Sequence, residues 1–477
     1  MPLLAIVSWR FGSLDRQLAL SGEREYLMPA PGINPQRDLT PSDPSAQRMK
    51  PRTDFKLLSL ATFLLVPALA GCGRPKTVPG VAGSQAAAIS NRLAAIAAAG
   101  DPVTLEQLSR IYEVPPADQD AAPLYARAFA AAKAADSKAP TALADKKEAL
   151  DLLLQAAKRP TCRYPVELTH GQKALFHHLV DIRRCAGLLK SEATNRAALG
   201  QTDAASKAIH AGIRLARSLD QEPVLISKLV EIATLDVAID ALEESLNQTA
   251  FSNDELSRLM SALGDAESGV GFRRAMLGER ANFIGVFQSS DEGLAEAMAM
   301  SSGGATAPGL LGSYRSAGHL EGDFAFALDF MSNLVAVVAL PFPEALDAAA
   351  GLHVPDAQTA LQGKLVFSAM LLPRPAQFVP KGAATVARIR IARTVLAVEI
   401  YRGKHGGSLP ETLGEVSAEL SDGVPKDPFD GQPLRYRSAA AGGYVVWSVG
   451  PDRKDDGGTM EASEGKTGRD LVVRIAR

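Results

Sequence analysis

"LFHHLVDIRRCAGLLKSEATNRAALG" occupies residues 175–200, and its apolar spacing decides the fold class. Leu175, Leu179, Ile182, Ala186 and Leu189 recur at alternating steps of four and three, which lines them along one face of an α-helix. Gly200 supplies the stop. Downstream, Asp203 opens a second helix with Ile209, Ala216 and Leu219 facing inward. Pro223 suits the first turn of a third, whose core positions are Leu225, Leu229, Ile232, Ile239, Leu242 and Leu246. Ser252 and Glu255 then stand at capping-box spacing ahead of "LSRLMSAL". Consecutive helices with short loops suit a bundle or an α-solenoid. No repeat of about 34 residues with the tetratricopeptide signature is visible.

The same reading extends outward. Upstream, a helix is expected over Ser84–Ala99, and Thr104 with Gln107 predicts a start near Leu105. Two more are expected over Ala121–Ala135 and Thr141–Lys158. Met298 to Gly318 is rich in Gly, Ser and Ala and reads as a mobile loop. Helices resume over Asp323–Ala339 and beyond Pro343. Val386, Ile389, Leu396 and Ile400 mark a long helix reaching Tyr401. Past Gly406 the period changes: "PLRYRS", "YVVWSVG" and "LVVRIAR" read as strands. The expected fold is mainly α, with a bundle or solenoid-like body over 84–380 and a small α+β module over 381–477.

The chain has 477 residues, 51 basic and 53 acidic side chains and 5% aromatic content. That balance offers no concentrated basic face, so no nucleic-acid partner is expected. Of its three cysteines, Cys72 follows a distinctive segment. Met49 begins a second possible start, Lys50, Arg52 and Lys56 give a basic region, and Leu57–Ala68 is apolar but short for a bilayer span of ~20 residues. Leu69-Ala70-Gly71-Cys72 resembles the lipobox of bacterial lipoproteins. The resemblance implies acylation of Cys72, cleavage of a signal over 49–71, a tether over 72–83, and attachment to the bacterial envelope, at the outer membrane facing the periplasm. Residues 1–48 read as a disordered extension or an artefact of start choice.

Ala397–Gly458 resembles the C-terminal part of the major pseudopilin of type II secretion. The likeness rests on Tyr401-Arg402, Leu409-Pro410, "PKDPF" at 425–429, Gly431-Gln432-Pro433, Tyr436, and Tyr444 through Ser448-Val449-Gly450 to Asp452. It covers about a fifth of the chain. A pseudopilin begins with its own apolar assembly helix, and here a lipobox and a helical body stand in that place. "CRYP", "SLDQEPVLISKLVEIA" and "DPFDGQPLRYR" also make the whole chain similar to envelope lipoproteins with a helical body and this tail. The pseudopilin likeness implies a calcium site at Asp452, Asp455 and Asp456. A solvated acidic turn is the alternative reading, since the spacing is not that of an EF-hand.

Cys162 and Cys185 are expected to form a disulfide outside the cytoplasm, with two separate buried thiols as the alternative. Asp427-Pro428 and Asp430-Gly431 read as turn chemistry. His177 and His178 are adjacent and cannot share a metal from one helix face. No metalloprotease, redox, nucleophile-elbow or phosphate-loop motif is present. The expected function is a lipid-anchored scaffold or protein-interaction module with partners in the envelope. The rivals are an envelope hydrolase with a site assembled from scattered residues, and a pseudopilin-like secretion component.

Overall fold

The stripe at 175–200 folds as the helix His178–Ala198 in the computed structural model, which describes residues 79–136, 146–302, 308–420, 423–439, 442–459 and 470–477. Leu179, Ile182, Ala186 and Leu189 are buried as their spacing requires. Leu175 is not: it is 65% exposed. The chain is extended at Ala174 after a short 3-10 turn, Leu168–Lys173, in which Gly171 adopts a left-handed φ of 56°. The helix therefore begins three residues later than the stripe suggests.

Helices Thr202–Arg217 and Leu225–Gln248 pack beside it, joined by short loops. Pro223 sits just before the third helix, which starts after Val224. Helix Asn253–Gly269 carries the full capping box: Ser252 accepts from the Glu255 N–H, and Glu255 accepts from the Ser252 N–H. Helix Leu105–Ile111 is capped by Thr104, which accepts from Gln107 N–H at 3.2 Å, although the Gln107 side chain reaches Val103 rather than Thr104. The first described helix is Pro79–Ala98, which begins within the expected tether.

The glycine-rich stretch 298–318 departs most from expectation. Helices Asp291–Ser302 and Pro308–Ser316 occupy most of it. Ala, Met and Leu are strong helix formers, and Pro308 takes the first helical position, where it has no intrahelical N–H to lose.

All three expected strands form. β1 (Arg435–Ser438), β2 (Tyr444–Ser448) and β3 (Leu471–Ile475) make one antiparallel sheet in that order, with Tyr436 opposite Val446 and Val446 opposite Val473. Tyr444, Val446, Val473 and Ile475 share a continuous apolar core with helices Thr202–Arg217, Leu225–Gln248, Asn253–Gly269 and Pro375–Lys404. That last helix runs across the boundary expected at residue 380, and the described residues from Gly83 onward form one compact unit.

The free edge of β3 is closed by side chains of helix Leu225–Gln248. Arg474 N–H donates to Glu243, Ala476 N–H donates to the Asn247 carbonyl at 2.8 Å, and the Asn247 amide donates to Arg474 O at 2.9 Å. An unpaired edge is a template for wrong pairing, and here the helical body occupies it. Among the described residues no helix is long and apolar enough to cross a membrane. Cys72, the signal at 49–71 and the extension at 1–48 lie outside the described residues.

Candidate functional site

A cleft of about 250 Å³ opens where five segments meet. These are helix Leu105–Ile111 at Leu108, the turn at 168–176, the elbow at 224–226, residues 278–282 of helix Arg273–Phe287, and residues 369–377, where helix Val366–Leu371 gives way to Pro375–Lys404. Leu108, Leu168, Phe176, Val224, Ile226 and Leu371 supply the apolar wall. Gln172, Glu279, Asn282, Arg374 and Gln377 supply polar groups.

The elbow and helix Arg273–Phe287 are locked together. A Cβ on Gly278 would fall 1.6 Å from Pro223 O, so only glycine permits this approach. The next residue, Glu279, accepts a hydrogen bond from Leu225 N–H at 2.9 Å and so caps the first turn of helix Leu225–Gln248. Burial raises the Glu279 carboxyl above the ordinary carboxylate range, partly offset by that N–H. Gly171 is close to the same region, with its Cβ position 3.0 Å from Asn282 Oδ1.

Behind the elbow lies a buried polar network. Glu222 is 1% exposed. Its carboxylate accepts from Tyr112 OH at 3.4 Å, from His178 Nε2 at 3.0 Å and from the Ser227 hydroxyl. A carboxylate only accepts, so His178 carries a proton on Nε2. The His178 ring stacks on Tyr164 with centroids 4.1 Å apart, and Tyr164 N–H donates to Tyr112 OH. Glu222, Tyr112, Tyr164 and His178 are thus each held by at least two other members, which fixes the elbow against the cleft.

One turn further along, Lys228 is buried and donates to Glu231 and to Gly269 O. Burial pushes the Glu231 carboxyl up to about 8, against the attraction of Lys228 and with the help of the Asp220 charge. Asp220 Oδ1 is buried without a hydrogen bond. The folded state holds the Glu231 proton more tightly than the unfolded chain does. The group therefore adds stability at acid pH, and that contribution disappears as pH rises from the ordinary carboxylate range through about 8. Denaturant midpoints should fall between about pH 6 and about pH 9, and Glu231→Gln should flatten this trend. An identical slope in the variant would reject the assignment.

The three acidic loop residues do not converge. Asp455 Oδ1 accepts from Trp447 Nε1 and from Gly457 N–H, both at 2.9 Å. Asp452 accepts from Lys454 N–H, and Asp456 N–H donates to Asp470. Among the described residues there is no group of three His, Cys, Asp or Glu side chains placed to hold a metal ion. The expected disulfide is absent: Cys162 and Cys185 are both buried thiols. They belong to one apolar core in which each packs as a small hydrophobe, and burial raises the Cys162 thiol far above its ordinary value. Alkylation should therefore modify both only after unfolding, without prior reduction. A disulfide-linked peptide pair in the mass spectrum would overturn this.

The turn readings at Asp427 and Asp430 hold. Phe429 N–H donates to Asp427 Oδ1 at 3.0 Å and Gln432 N–H donates to Asp430 Oδ1 at 2.9 Å. Arg184, Lys190 and Arg273 are engaged within the protein, with Asp181, Glu244 and Asp101. Sequence reasoning missed Glu222, Glu279 and Asn282. A signal existed in "SLDQEPVLISKLVEIA": Ser218, Glu222, Ser227, Lys228 and Glu231 are all buried, and a polar run in phase with core positions marks an internal network. Comparison with protein-family profiles, curated proteins and solved structures found no match to this chain.

Proposed function

We propose that this chain is a lipid-anchored protein of the bacterial cell envelope that works by binding, through the cleft between the elbow at 224–226 and residues 369–377. The anchor rests on Leu69-Ala70-Gly71-Cys72 after a basic and apolar lead. The binding reading is carried by one observation: the cleft has an apolar wall and a few converging polar groups, the composition of ligand sites generally. Glycine at 278 and the Glu222 network hold its elbow in place, so little reorganisation accompanies binding.

A photo-crosslinking residue at exposed Gln377, on the cleft, should capture a ligand or partner in intact cells. The same residue at Leu199, which is 69% exposed and not part of the cleft, should not. Equal capture at both positions, or none at 377, would reject the reading.

The tail is proposed to be pseudopilin-like, supported by its order of long helix, 3-10 turn Leu413–Glu419 and three antiparallel strands. Calcium at Asp452, Asp455 and Asp456 belongs to that proposal. As placed, these side chains fit it poorly, because Asp455 is committed to Trp447. A melting temperature higher in calcium than in chelator would support a rearranged site, and coincident curves would reject one.

A further inference from the structure

Glu279 is the one carboxyl among the described residues lining the cleft. One of its oxygens takes the Leu225 N–H. Its other oxygen has no hydrogen-bond partner among the described residues and is not among the sealed, unpartnered atoms of the structure, and Glu279 is partly exposed and lines the cleft. No described Lys, Arg or His forms an ion pair with it. A carboxyl in that position, half satisfied and walled by Leu108, Leu168, Phe176 and Val224, is complemented by a ligand that brings its own cation and an apolar group next to it. Arg374 lies at the exposed rim of the same cleft and has no carboxylate partner among the described residues. The volume, about 250 Å³, falls just below that of drug-sized ligand sites, which run from ~300 Å³ upward. That suits a single group of amino-acid size, free or at the end of a chain.

Building on the binding reading above, we infer that the cleft recognises a primary ammonium flanked by an aliphatic side chain, as in a free hydrophobic amino acid or the N-terminus of a peptide that begins with one. The ammonium donates to the second oxygen of Glu279 and to the Asn282 carbonyl. The side chain packs on the Leu168, Phe176 and Val224 wall. In a free amino acid the carboxylate reaches toward Arg374. In a peptide N-terminus that carboxylate is replaced by an amide and Arg374 is not needed.

Calorimetric titration of the full chain, purified in detergent, tests this with L-leucine, L-leucinamide, isoamylamine and 4-methylpentanoate as probes. Wild type should bind at least one of the first two. It should bind 4-methylpentanoate, which lacks the amine, at least tenfold more weakly. Glu279→Gln keeps an oxygen to cap Leu225 and should lose amine binding by at least tenfold while melting like wild type. Leucine binding that is lost in Arg374→Ala, with no binding of leucinamide, identifies the free amino acid. Binding of leucinamide that Arg374→Ala leaves unchanged identifies a peptide N-terminus. Equal binding of 4-methylpentanoate, or no binding of any amine, overturns the inference. Because the wild-type probe series needs no variant, a misfolded Glu279→Gln does not spare it. Cross-linking at 377 that persists when every amine fails would leave the cleft a binding site and reject only this ligand class.

Discussion

Asp427→Ala is expected to cost the unit about 3–5 kcal/mol, the range for removing one partner of a buried charged pair. Asp427 is fully buried, and its carboxylate receives four donors. Phe429 N–H and Ser448 OH reach Oδ1 at 3.0 and 2.8 Å, while Val449 N–H and Arg435 Nη1 reach Oδ2 at 2.9 and 2.7 Å. It therefore ties the turn at 427–431 to the end of β2 and to the start of β1. Alanine leaves two backbone N–H groups and a guanidinium facing a void. Arg435 retains Asp430, which limits the loss but does not satisfy the N–H groups. Since the sheet shares its core with the helices, the whole unit should unfold earlier in denaturant. A change below about 1 kcal/mol, no more than a typical single hydrogen bond, would contradict this account of the tail.

Gly278→Ala is the second large effect. The added methyl would stand 1.6 Å from Pro223 O and 2.8 Å from Pro223 C. The neighbour is backbone, held by a buried network around Glu222, so it cannot swing aside like a flexible side chain. Overpacking commonly costs 1–3 kcal/mol, and a backbone clash of this kind should reach about 3 kcal/mol or more. The helix Arg273–Phe287 must withdraw, which also breaks the Glu279–Leu225 hydrogen bond. Equilibrium denaturation measures the loss, and amide exchange at Leu225 should accelerate with it. Wild-type stability in this variant would mean the elbow and helix are not locked together.

What the sequence revealed follows the range of the interactions involved. The helix faces, the capping box at Ser252 and Glu255 and the three strands depend on residues a few positions apart, and all were readable. Where a local pattern met a non-local one, the reading failed. Leu175 fits the stripe by spacing but falls on an extended segment. The glycines near 310 suggested a loop, although their neighbours favour helix. Cys162 and Cys185 share a core without bonding, and sequence distance cannot distinguish proximity from a bond. The cleft was invisible because its lining is drawn from Leu108, 168–176, 224–226, 278–282 and 369–377. Glu279 looks like any surface glutamate until the elbow closes over it. Likewise Asp427 read as a turn residue, and its two distant donors on Ser448 and Val449 came only with the sheet.

The proposed function joins a lipid tether at Cys72 to a binding cleft. Metabolic labelling with a fatty-acid probe, followed by membrane fractionation, tests the tether most directly, with wild type compared against Cys72→Ser. Label and membrane recovery are expected for wild type, and neither for Cys72→Ser. Equal labelling of the two, or an unlabelled wild type recovered in the soluble fraction, would contradict the tether.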